Sequence, residues 1–136
     1  MQSAYPALIY LLTRDAAITA IVSDRIYAFI GDQKSPFPDI VVIPTVKTET
    51  KDIEGTGAPY FERISIECRG TTARDADQLG VEVRKCLQNA KFIYRPATGS
   101  AINVTGCIVA GDVFPVDEEF VIFRRIIDFR VIYSPA

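Results

Sequence analysis

Tyr60–Asn89 reads YFERISIECRGTTARDADQLGVEVRKCLQN. Its first third alternates with period two: Ile64, Ile66 and Cys68 point one way, and Arg63, Ser65, Glu67 and Arg69 the other. That is the pattern of a β-strand with one buried face. The pattern then changes to a helical period. Ala76, Leu79, Val83, Cys86 and Leu87 form one apolar stripe, while Arg74, Asp77, Glu82, Arg84 and Lys85 lie mostly off it. Thr72 and Asp75 have capping-box spacing at its start, and Asn89 is a suitable terminus. A half-buried strand followed by an amphipathic helix calls for a helix laid on a sheet.

The elements on either side agree. Upstream, Arg25–Phe29 and Asp39–Val46 read as strands. Pro44 falls inside the second, which places that strand at an edge or makes it bulge. Before them, Pro6 suits a first helical turn, with Tyr5, Leu8, Ile9 and Leu12 on one face. Asp15 caps a second short helix carrying Ile18, Ile21 and Val22, so a helical hairpin is expected at the N-terminus. Between the strands, Gly31–Pro38 is a proline loop around Phe37. Lys47–Pro59 is polar and reads either as a flexible loop or as the tip of a long β-arm.

Downstream, Phe92–Tyr94 is a candidate short strand, and Val104–Val113 a strand weakened by Gly106 and Gly111. After a turn at Pro115–Glu119, Val121–Tyr133 is the longest strand, with Arg125 interrupting its apolar face. The expectation is a single α+β domain spanning 1–136. It has two layers: a mainly antiparallel sheet of about five strands, one long helix on a face, and the N-terminal hairpin.

Composition narrows the function. The chain has 136 residues, 49% hydrophobic and 24% charged, with net charge -2, so bulk attraction to nucleic acid or an anionic membrane is not expected. No apolar run approaches the ~20 residues of a membrane span. Met1-Gln2-Ser3 lacks the basic start of a signal peptide, and none is expected. Cys68, Cys86 and Cys107 are widely spaced and odd in number. They read as core thiols in a reducing compartment, with no disulfide framework.

There is no histidine, which removes His-dependent triads and histidine metal sites. The cysteines lack the close pairing of zinc ligands. Gly55-Thr56-Gly57 begins like a dinucleotide fingerprint, but Tyr60 stands where the third glycine belongs, so it reads as a loop bend. Asp117, Glu118 and Glu119 read as a solvated turn. Arg124 and Arg125 alternate across a strand, which predicts one facing solvent and the other a partner subunit. Phe61, Arg63 and Arg69 on one face invite a nucleic-acid reading, which Glu67 on the same face opposes. No catalytic, cofactor-binding or metal-ligating set emerges, and an assembly role is expected.

A family resemblance runs over nearly the whole chain. It is carried by Ala7-Leu8-Ile9-Tyr10-Leu11-Leu12 with Asp15-Ala16-Ala17-Ile18, and by Val22-Ser23-Asp24-Arg25-Ile26-Tyr27. A proline loop then leads into Pro38-Asp39-Ile40-Val41-Val42, followed by Arg63–Gly70, the helix through Leu87, and Arg125-Ile126-Ile127-Asp128-Phe129-Arg130-Val131. In these segments the chain resembles the tail-completion, or tail-terminator, proteins of long-tailed bacteriophages and related prophage particles.

The resemblance implies a structural virion protein, assembled in the host cytoplasm. It would form a homo-oligomeric, hexameric ring that caps the tail-tube protein, stops its polymerisation and joins it to a neck or head-completion protein. DNA would only pass through the lumen. A neck or head-closure adaptor is the nearest alternative; a ligand-binding domain or histidine-independent enzyme is the alternative from another class. If a ring forms, the expected subunit or partner contacts are Phe37, Pro44, Lys47, Glu49, Lys51, Asp52, Glu54 and Phe61. Asp117, Glu118 and Glu119 are the candidates for an acidic lumen lining.

Overall fold

The alternation in Tyr60–Gly70 becomes a central strand because its even-numbered side chains face a helical layer and its odd-numbered ones do not. The computed structural model describes residues 2–30, 37–49, 59–115 and 122–136, with 47–49 described as backbone. In chain order the elements are α1 (Tyr5–Thr13), α2 (Ala16–Val22), β1 (Ile26–Ala28), β2 (Asp39–Glu49), β3 (Tyr60–Gly70), α3 (Ala73–Leu87), β4 (Phe92–Tyr94), β5 (Ile102–Val113) and β6 (Phe123–Pro135). The sheet has six strands in the order β1-β2-β3-β6-β5-β4, where about five were expected. The sixth is β4, paired antiparallel to β5 through Phe92–Val104 and Tyr94–Ile102. All pairings are antiparallel except β1 with β2.

The helices start where their caps place them. The Asp15 carboxylate accepts from the Ala17 and Ile18 N–H groups, and the Thr72 hydroxyl accepts from Asp75 N–H at 3.1 Å. Asn89, just past α3, takes the left-handed conformation that asparagine tolerates, φ 63°. α1 and α2 meet at 88°, a right-angled pair rather than a hairpin. Neither is long and apolar enough to cross a membrane, and their apolar faces (Ala7, Leu8, Leu12, Ile18, Val22) are buried in the core.

That core lies between the helices and one sheet face. Ile40 and Val42 of β2, Ile64, Ile66 and Cys68 of β3, Ile127, Phe129, Val131 and Tyr133 of β6, and Val104 and Cys107 of β5 meet Leu79, Val83 and Leu87 of α3. Burial at 25 cal/mol per Å² makes each such large side chain worth roughly 1.5–3 kcal/mol.

Two strands depart from strict alternation, and both departures have a local cause. In β2 the register with β3 shifts between Pro44 and Val46. Ile40 N–H and Val42 C=O bond towards β1, so alternation turns Pro44 to the same side, beyond the end of β1, where its missing N–H leaves no ladder bond unmade. The bulge reading of Pro44 is met, whereas the edge strand is β1 and β2 lies second in the sheet. In β5 the register with β6 shifts between Val104 and Gly106 and again between Val109 and Gly111. The first bulge resets the alternation, which is why Val104 and Cys107, three apart, are both buried.

Candidate functional site

The covered face of the sheet holds charge. Arg125 on β6 points into the helical layer and is buried. Its Nε donates to Asp112 Oδ1 at 2.8 Å and its Nη2 to Asp112 Oδ2 at 2.6 Å, a bidentate pair with β5. Nη1 reaches across to α3, donating to the Asp77 carbonyl at 3.0 Å and to its carboxylate at 3.1 Å. Arg84 adds a second cation to Asp112 at 3.0 Å, and the Phe114 ring lies 5.7 Å from the Arg125 guanidinium. The hydrogen bonds from Arg125, then its charge and those of Arg84, hold the Asp112 carboxyl below the usual carboxylate range despite the opposing effect of burial.

Gly80 makes room for this. A Cβ there would sit 2.4 Å from Arg125 Cδ and 2.9 Å from its Nε and Nη1. A glycine inside a helix costs about 1 kcal/mol relative to alanine, so its presence in α3 needs such a reason. The readable signal was paired: a glycine on the apolar side of a good helix, and an arginine interrupting an apolar strand face.

For Arg125 the expectation of a solvent- or partner-facing side chain is corrected, because the helical layer covers it, while Arg124 lies on the open face. Both are paired within the chain: Arg125 as above, and Arg124 with Glu67 across the open face at 3.5 Å. The alternation itself holds.

At the other end of the covered face, Glu62 is buried and accepts from Ala4 N–H at 2.7 Å and from the Ser3 hydroxyl at 2.6 Å. The Tyr133 hydroxyl donates to Gln2 C=O, and Tyr60 stacks on Tyr133. These bonds tie the start of the chain to the sheet.

The thiols have no reactive setting. Burial pushes Cys86 and Cys107 up to about 12 and Cys68 higher still, so all three stay protonated near neutrality. Among the described residues, no group of three or more Cys, Asp or Glu converges in a way that could hold a metal ion.

The expected contact residues do not gather in one place. Phe37 lies on Arg69, 5.1 Å from its guanidinium, where Arg69 makes a bidentate pair with the buried Asp39. Phe61 lies under Arg130 at 5.0 Å. Arg69 and Phe61 are eight residues apart on β3, about 27 Å at strand rise, so the two phenylalanines are separate candidates at distant points of the sheet. Pro44 sits at the β2 bulge, and Lys47 and Glu49 continue β2, which supports the β-arm reading of that stretch. Lys51, Asp52, Glu54, Asp117, Glu118 and Glu119 lie outside the described residues.

Comparison with known proteins agrees with this architecture. Thirteen chains from solved structures match. One, from a structure titled "Virion of native gene transfer agent (GTA) particle", superposes with a TM-score of 0.76 over 99% of this chain and 100% of that one, at 15% identity, a likeness of fold. A search of curated proteins finds no match. The family model described as "Tail completion protein gp17" matches residues 6–134, from α1 to the end of β6. With that match spanning every element of the fold, the chain belongs to the tail completion protein gp17 family, and is a structural, tail-related virion protein.

Proposed function

We propose that this chain is a tail terminator. Its copies close into a ring, hexameric in this reading, on the end of the tail tube. The ring stops tube polymerisation and offers its other side to a neck or head-completion protein. DNA passes through the lumen, assembly takes place in the host cytoplasm, and the role is structural rather than enzymatic. The observation that carries the reading is the family match over residues 6–134. An interior braced by ion pairs suits a part that works by shape: Arg125–Asp112 and Asp39–Arg69 each cross-link neighbouring elements with bidentate geometry.

The test is electron microscopy of the purified protein mixed with its own tail tubes. Tubes capped at one end, and no longer growing when more tube subunit is added, are the expected result. Bare tube ends together with decorated head connectors would replace the reading with that of a neck adaptor.

A further inference from the structure

Soluble sheets normally guard their lateral strands with charge and keep their central strands apolar. This sheet is the reverse. The two central strands carry four charges each: Glu62, Arg63, Glu67 and Arg69 on β3, and Arg124, Arg125, Asp128 and Arg130 on β6. β1 and β4 carry none, β5 carries only Asp112, and β2 has charge only at its ends, Asp39, Lys47 and Glu49. The sequence has no charged residue from Ile40 to Val46, nor from Pro96 to Gly111.

Apart from Tyr10 and Val81 on the helices, the exposed large apolar side chains of the described residues follow the same division. Phe29, Ile30 (80% exposed) and Val46 (57%) flank the β2 side. Ile93, Ile108 (47%), Val113 and Phe114 lie on β4, on β5 or just past its end. The central strands contribute Phe123 alone, at the start of β6.

Past the ends of the short edge strands β1 and β4, the backbone of β2 and β5 is nonetheless blunted. On the β2 side Pro44 has no N–H, and a bulge follows it. On the β5 side, beyond β4, the end of α3 occupies the ladder: Val109 N–H donates to Gln88 Oε1 at 2.9 Å, and Asn89 N–H donates to Cys107 C=O at 2.7 Å. Open strand pairing is thus discouraged on both sides, while apolar side chains are left uncovered. That combination fits a defined side-chain contact. The two patches are unlike, they sit on opposite sides of one sheet, and one chain carries both. This is the requirement for a heterologous, head-to-tail contact between copies.

We propose that the β2 side of one copy, through Phe29, Ile30 and Val46, packs against the β4–β5 side of the next, through Ile93 and Ile108. The inference deepens the ring reading above and rests on it for the assembly of copies side by side.

Val46→Glu and Ile108→Glu place a negative charge on one side each, so that two altered sides repel, at side chains exposed enough to leave the fold intact, which thermal melts check. By sedimentation and native mass spectrometry the unmodified chain assembles beyond the dimer, and each variant alone is a monomer. Mixed, the two variants form a species of twice the 15.1 kDa chain mass and nothing larger, because each retains the side the other has lost. If Val46→Glu does not fold, Ile30→Glu takes its place.

The proposal is overturned if the unmodified chain stays monomeric at its highest soluble concentration, if the variants assemble as it does, or if their mixture stays monomeric. Loss of assembly in Val46→Glu but not in Ile108→Glu also overturns it, in favour of a two-fold contact. Normal assembly with bare tube ends would sink the terminator reading while leaving this contact standing.

Discussion

Arg125 and Arg63 sit on adjacent strands of one sheet, on opposite faces, and each is paired with an aspartate. Arg125 is under the helices, 10% exposed at its side chain, and holds Asp112 with two parallel bonds while also reaching α3. Arg63 is on the open face, 49% exposed, and makes one bond of 2.7 Å to Asp128, which also accepts from Ser65. The chemistry is the same and the surroundings differ. Water screens the Arg63 pair and would solvate either partner if the other were lost. The helical layer denies most of that alternative to Arg125 and Asp112, so loss of Arg125 leaves Asp112 largely covered without its bidentate partner, while Asp77 on α3 stays open to water.

Removing Arg125 would therefore have the largest effect. Arg125→Ala should destabilise the fold by about 3 kcal/mol, read from the urea midpoint, because the largely covered Asp112 loses its bidentate cation and the space under α3 is left unfilled. A loss no greater than that of a surface variant would mean that water reaches the cluster.

Acid sharpens the same contrast. The Asp112 pKa is lowered on folding, so its contribution is fully present above the ordinary carboxylate value of about 4 and is lost as pH falls through the lower folded value. Asp112→Asn should destabilise at neutral pH by about 2 kcal/mol, and its gap from the unmodified protein should narrow as pH falls below about 4. A gap that does not change with pH would show that the charge on Asp112 contributes little.

The smallest effect belongs to the open face. Arg63→Ala should change stability by no more than about 1 kcal/mol, and by less at high salt. A larger loss, insensitive to salt, would erase the distinction between the two faces.

Much of this arrangement was readable in advance. Period two in Tyr60–Gly70 and the stripe Ala76–Leu79–Val83–Leu87 specify a strand and a helix through side-chain geometry that repeats within a few residues. Pro44 announced its bulge by lacking an N–H. The β5 pattern is harder, since a bulge between Val104 and Gly106 shifts Val104 and Cys107 out of a simple alternation and a second follows Val109. β1 and β4 are three residues each, and their places depend on partners distant in the chain. Residue type and loop position mark Phe37 and Phe61 as candidate contacts, but not where they sit: Phe37 lies against Arg69 at one end of β3 and Phe61 is near the other.

The sequence by itself determined the elements, their caps at Asp15 and Thr72, and the exclusion of histidine chemistry, because these depend on composition or on contacts within about four residues. The tertiary structure decided which strands became central and which lateral. It also brought Arg125 to Asp77, 48 positions away, and Glu62 to Ala4, 58 away. Those pairings exist only once the strand order is set. Charges that look unremarkable along the chain then concentrate at the middle of the sheet and leave its two sides apolar.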